Sequence, residues 1–181
     1  MAEKNDADLG DILQRLVDRQ EIEDLHYRYT RGLDRRDAAM AASCFHDDAL
    51  EEHGPFFGRI VDFLRGGEVM EAFAEFDTML HFVNNQLIEF VDENTAHGEA
   101  LVYVLMTRKD GDRQVLDSIA GRYLSRFERR DGVWKIGRRT FLADLGESRQ
   151  FAPDYPHDLD QYPSGKFVPD DLVYHWSFRT G

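Results

Sequence analysis

Leu80-His81-Phe82-Val83-Asn84-Asn85-Gln86-Leu87-Ile88-Glu89-Phe90-Val91 is the stretch on which the fold turns. Upstream of it apolar residues recur at helical spacing. Within it, apolar residues fall on both faces, as expected of a central strand. Downstream, Asp92-Glu93-Asn94 marks a turn and residues 96–107 read as a second long strand. Lys109-Asp110-Gly111-Asp112 closes a hairpin, residues 115–129 read as a third strand, and Arg130-Asp131-Gly132 is a strong hairpin signal before a fourth at 133–142.

Upstream, Asp6 to Asp8 offer an N-cap, and Ile12, Leu16, Ile22, Leu25, Tyr29 and Leu33 form the stripe of one long amphipathic helix. Its charged face carries Arg15, Asp18, Arg19 and Glu23. Gly32 permits a break, a short helix follows over 37–44, and His46-Asp47-Asp48 reads as a polar turn. Val69, Met70, Phe73 and Phe76 give a further helical pattern, interrupted early by Gly66-Gly67. Helices first, then hairpin-linked strands, predict an α+β fold: an antiparallel sheet with helices on one face. Residues 1–145 form that domain. The stretch 146–181 holds four of the five prolines yet is rich in aromatics, among them Phe151, Tyr155, Tyr162, Phe167, Tyr174, Trp176 and Phe178. It is expected to be an ordered arm packed on its own body or a neighbour, since disordered tails are aromatic-poor.

At 181 residues the chain fits one domain, and with 42% hydrophobic residues it can build a core. Its 35 Asp+Glu against 22 Lys+Arg give a net charge of −13, which argues against binding nucleic acid or an anionic membrane. A lone cysteine, Cys44, excludes an internal disulfide. Residues 1–11 lack the basic and apolar regions of a signal peptide, so a cytoplasmic protein is expected. Gly-rich phosphate loops, dinucleotide fingerprints, paired-cysteine zinc patterns and nucleophile elbows are absent from the sequence.

Polar residues on faces that should be buried remain as candidates. Alternation puts His81, Val83, Asn85 and Leu87 on one face. An imidazole beside an amide in apolar surroundings suits acid/base work; a core histidine bonded to the backbone is the alternative. Tyr29 lies on the helix stripe and points its hydroxyl toward the sheet. Asp34 sits against the dipole at the helix end and, facing a pocket, would orient and polarise His81. Counting by twos from Trp134 places Arg138 inward with Ile136, either ready to stabilise negative charge or with its head reaching only the sheet rim, and Arg139 outward with Lys135. Ile119, Gly121, Tyr123 and Phe127 share a face, with Gly121 leaving room for a ligand. His46, Asp47, Asp48, Glu51, Glu52 and His53 could ligate a metal, but consecutive residues rarely converge on one ion, so no metal site is expected. His53, before Gly54-Pro55, is expected at a pocket mouth.

Several short motifs in order also resemble a known family. They are Arg19-Gln20-Glu21-Ile22, then Tyr29, Gly32 and Asp34-Arg35-Arg36-Asp37, then Cys44-Phe45-His46-Asp47-Asp48-Ala49. His53-Gly54-Pro55-Phe56, the strand around His81 and Asn85, Gly121-Arg122-Tyr123 and residues 127–134 follow. Together they resemble the SnoaL-like branch of the NTF2-like (cystatin-like) superfamily, over residues 9–145. The resemblance implies a curved sheet wrapped on helices into a cone with a central pocket, assembly into dimers or trimers, and activity without cofactor or metal. In its dehydratases (scytalone dehydratase, bile acid dehydratases) and dehydrochlorinases a tyrosine, an aspartate and a strand histidine form the active site. Tyr29, Asp34 and His81 match these, and Arg138 matches a late-strand arginine of some members. A second histidine of scytalone dehydratase would fall at Met106. The implied activity is a cofactor-independent lyase, eliminating water or halide or losing a small carbonyl by retro-aldol cleavage, for a small apolar, aromatic or polycyclic substrate bound by Asn85, Val83, Tyr123, Gly121 and His53. Ketosteroid isomerase-like or polyketide cyclase-like enzymes, and a non-catalytic ligand-binding module, are the alternatives.

Overall fold

The computed structural model describes residues 2–151 and 161–176, with only the backbone at 2–8 and 151. Tyr155 and Phe178 lie outside the described residues, as does the side chain of Phe151. Helix α1 (Ala2–Asp34) begins before the cap read at Asp6 to Asp8 and buries Ile22, Leu25, Tyr29 and Leu33. Ile12 and Leu16, expected on the same buried stripe, stay exposed, because the helix outruns the body it packs on. Asp18, expected on the solvent face, is buried instead: its Oδ1 accepts from Trp134 Nε1 and Arg129 Nη1, each at 3.0 Å. A Cβ at Gly32 would lie 2.7 Å from the Ala41 nitrogen, so glycine lets α2 (Ala38–Ser43) fold back against α1. Asp37 caps α2 by accepting the Met40 N–H at 2.9 Å.

Six strands follow: β1 (Phe45–His53), β2 (Phe56–Arg59), β3 (Phe76–Phe90), β4 (Thr95–Asp110), β5 (Arg113–Arg130) and β6 (Val133–Phe151). Helices α3 (Ile60–Arg65) and α4 (Glu68–Ala72) interrupt them, separated at the Gly66-Gly67 break. The sheet runs β2-β1-β6-β5-β4-β3 and does not close. The α+β class and the curved sheet with its helices are thus present, with three differences from the sequence reading.

His46-Asp47-Asp48 is strand, not turn. His46 Nε2 bonds the Glu128 carbonyl at 2.9 Å while Asp47 and Asp48 face solvent, so an edge strand hides in a charged run. β1 runs parallel to β6, so the sheet is mixed, although every other pair is antiparallel. Finally, β6 continues to Phe151, so the sheet extends past residue 145 into the stretch assigned to the arm.

The described part of the arm packs on its own chain. Tyr174 donates to Asp37 Oδ2 at 3.1 Å, Asp171 lies 3.4 Å from Arg35, and the Val168 N–H donates to the Arg35 carbonyl at 2.8 Å. The arm thereby braces the corner just after Asp34. Among the described residues, no helix is long and apolar enough to cross a membrane.

Candidate active site

Between α1, α3, α4 and the inner face of the sheet lies a cavity of about 300 Å³. Most of its wall is apolar: Leu33, Phe56, Ile60, Phe63, Val69, Phe73, Met79, Val104, Met106, Ile119 and Phe141. Five polar side chains break that wall: Tyr29, Glu51, His53, His81 and Tyr123. A mostly apolar hollow with a few convergent polar groups is the usual form of a small-molecule site.

Asp34, at the last residue of α1, spends both carboxylate oxygens on one residue of β3. The His81 ring Nδ1–H donates to Oδ1 at 2.6 Å and the His81 backbone N–H donates to Oδ2 at 3.1 Å. The His81 side chain is 6% exposed and that of Asp34 14%. With Nδ1 engaged by a carboxylate, Nε2 is the ring nitrogen left without a protein partner among the described residues. The geometry is that of an oriented general base.

Behind the cavity floor lies a second charged group. Arg139 is fully buried, and one of its nitrogens, Nη2, donates to both Glu51 oxygens at 2.7 and 2.8 Å. Its guanidinium carbon sits 3.9 Å from the Tyr29 ring centre, 4.4 Å from that of Tyr123 and 4.9 Å from that of Phe45, a three-sided aromatic cage. Burial alone would lower the arginine, but Glu51 and the two phenols hold it above its ordinary value. Burial pushes the Glu51 carboxyl up, and Arg139 with His53 outweigh it, so Glu51 stays an anion. Burial raises the Tyr29 hydroxyl well above its ordinary range and pushes Tyr123 up to about 12. Both phenols are therefore hydrogen-bond donors at neutral pH.

His53, near the end of β1, completes the wall. Its Nδ1 lies 3.0 Å from Glu51 Oε1, and its ring stacks on Phe141 with centres 4.5 Å apart. It also borders the shallow depression outside the cavity, with Gly54, Pro55 and Arg122, and so stands at the mouth. Among the described residues, no group of three or more His, Cys, Asp or Glu converges in a way that could hold a metal.

Of the residues singled out from sequence, Tyr29, Asp34, His81, Tyr123 and His53 come together here. Asp34 stands behind His81, and the other four line the cavity. Four placements need correction. Arg138 is exposed on the outer face of the sheet, because Gly137 is an extra residue opposite the Arg126/Phe127 step and reverses the alternation; Arg139 takes the inward position. Asn85 adopts φ 39° at a bulge in β3, which turns it outward and makes Gln86 and Ile88 the inward residues. Val83 stays on the inner face but outside the cavity lining. Gly121 makes room for the protein, not for a ligand: a Cβ there would meet the Leu142 carbonyl at 2.2 Å and the Phe141 ring at 2.7 Å. Glu51 and Arg139 were missed as site residues. Gly137 within a strand was the available signal for the bulge that brings Arg139 in.

Comparison with known proteins agrees with this architecture. The profile of the SnoaL-like domain family matches residues 14–140. Hexachlorocyclohexane dehydrochlorinase 1 of Sphingobium indicum is 31% identical over 129 residues, covering 70% of this chain and 81% of that protein. The crystal structure of a type 3 hexachlorocyclohexane dehydrochlorinase from Novosphingobium barchaimii superposes with a TM-score of 0.63 at 28% identity, over 78% of this chain and 94% of that one. A protein of cystatin-like fold from Nostoc punctiforme, 18% identical, covers 71% of this chain and 92% of its own with a TM-score of 0.57, a likeness of fold alone.

Proposed function

The chain belongs to the SnoaL-like family, and from that premise we propose that it is a cofactor-independent lyase, eliminating a small leaving group from a compact, largely apolar molecule. The observation that carries the reading is the double grip of Asp34 on His81, which leaves one imidazole nitrogen free on the wall of an apolar cavity. His81 Nε2 takes the proton from the carbon next to the one bearing the leaving group. The C–H electron pair becomes the new double bond, and the leaving group departs with its own pair. Asp34 stabilises the imidazolium so formed. Tyr29 and Tyr123, held protonated by burial, donate toward the negative charge that develops as the bond breaks. Arg139, caged beneath both rings and balanced by Glu51, polarises the two phenols as donors in a dry environment. The dehydrochlorinase relatives support elimination over other chemistry for this pocket. A cavity of about 300 Å³ suits substrates of about one or two rings.

The test is turnover without added cofactor or metal on small cyclic halides and aryl β-hydroxy or β-chloro ketones. His81→Gln and Asp34→Asn are expected to lower kcat by ~10²–10⁴-fold, the share of one positioned acid/base group, with little change in the unfolding midpoint. Undiminished turnover in His81→Gln would refute the assignment.

A further inference from the structure

The cavity contains a second histidine–carboxylate pair that the mechanism above leaves idle. His53 Nδ1 meets Glu51 at 3.0 Å, as His81 Nδ1 meets Asp34 at 2.6 Å. The two imidazoles stand on β1 and β3, four strand steps apart in the sheet order, and the curvature of the sheet brings both rings to one hollow. Among the described residues, no protein group bonds Nε2 of either ring. The arrangement is therefore bipolar, with one imidazole deep in the wall and the other at the mouth.

We propose that His53, held by Glu51, is a second catalytic residue: the acid that protonates a departing hydroxyl, which makes the substrate class a small apolar alcohol bearing an acidified C–H next to the carbinol carbon. This rests on the elimination reading. Two observations assign the roles. First, the protonated hydroxyl leaves as water, and His53 stands where water can leave: its side chain is 42% exposed at the mouth whereas that of His81 is 6% exposed. Second, Asp34 directs both its oxygens to His81, while Glu51 divides its charge between Arg139 and His53. His81 is thereby fixed by two contacts to one carboxylate, whereas His53 has a single contact and stands at the mouth.

The step balances. His81 Nε2 takes the proton from carbon, and the C–H pair forms the C=C bond. The C–O bond breaks with its pair on oxygen, and that oxygen takes the proton from His53 Nε2–H and leaves as water. Alcohol becomes alkene plus water, with His81 protonated and His53 neutral. Solvent at the mouth reprotonates His53, and His81 passes its proton to solvent as the product leaves, so one proton is taken up and one released in each turnover. Halide needs no proton to leave, so His53 has work to do only when the leaving group is hydroxyl.

That difference supplies the experiment. The probes are the β-hydroxy ketone formed from benzaldehyde and acetone, and its β-chloro counterpart; both give the same enone, followed by its absorbance. In His53→Gln, the ratio of hydroxy-ketone to chloro-ketone turnover is expected to fall by ~10²-fold or more, a selective loss that a merely structural role does not produce. An unfolding midpoint equal to that of the wild type certifies the fold. An equal fall on both probes overturns the acid role and leaves the elimination reading standing. So does a wild-type protein that turns over the chloro ketone alone. Turnover of neither probe by the wild type removes the elimination reading, and this inference with it.

Discussion

His26 is a histidine that the fold holds without charge. It lies on α1, fully buried, with Nε2 3.2 Å from Ser125 Oγ and its ring 5.6 and 5.5 Å from those of Tyr123 and Phe127. Burial first, and the positive charge of Arg139 second, lower its pKa from 6.5 to about 3. Between those values the unfolded chain takes up a proton that the native state refuses, so stability is full above pH 6.5 and is lost as pH falls toward 3. Its contribution to the unfolding free energy should drop by roughly 1.5 kcal/mol from pH 6.5 to pH 5, above the range of ordinary carboxylates. Urea titrations of wild type and His26→Gln across that window check it: the wild type should show the steeper loss, and superimposable slopes would contradict the account. The neutrality also matters to the site, since a charged His26 would set a second buried positive charge against Arg139.

At the scale of elements, strand bulges decide which residues reach the cavity, and they mark the limit of what the sequence discloses. The long helix, the short capped helix and the four hairpin-linked strands were legible because their periods are local. His81 and Val83 were placed inward correctly because they precede the bulge at Asn85; Asn85 itself was not. Trp134 and Ile136 were placed correctly because they precede Gly137, and Arg138 and Arg139 were exchanged because they follow it. Counting by twos fails at the first extra residue, and only a glycine or an asparagine in mid-strand betrays one. β1 escaped detection for a different reason: its pairing with β6 is parallel and remote in sequence, so nothing near Asp47 and Asp48 signals it. The bulge at Gly121 carries a prediction of its own. Gly121→Ala drives a Cβ to 2.2 Å from the Leu142 carbonyl, a backbone atom that cannot step aside, and displaces the Phe141 ring that supports His53. A loss of about 1–3 kcal/mol in urea unfolding is expected, with a larger loss if the strands separate. Gly146→Ala is the control on the partner strand, where the nearest atom stands 3.9 Å away, and it should be close to neutral.

The whole molecule leaves more apolar surface uncovered than a lone domain of this size needs. On the outer face of the sheet Leu80, Phe82, Leu87, Leu101, Tyr103 and Leu124 are exposed, and the described part of the arm packs elsewhere, on the corner after α1. The first half of α1 adds Leu9, Ile12, Leu13, Leu16 and Val17, each at least half exposed. A 33-residue helix is ~50 Å long, and its burial begins only at Asp18. A free-standing apolar helix of that kind is marginal in water, and contiguous patches beyond a few hundred Å² are rare on monomers. We therefore expect self-association, with copies covering the outer sheet face, the free half of α1, or both. The chain carries a net charge of −13, so assembly works against repulsion and should tighten as salt screens it. Light scattering at micromolar protein should give a mass that is a multiple of 21.0 kDa. Phe82→Lys and Leu16→Lys, which put a cation into each surface in turn, should identify the face used by shifting that mass downward. A wild-type mass of 21.0 kDa at both low and high salt would refute assembly, and the exposed stripe of α1 would then stand in water unaided.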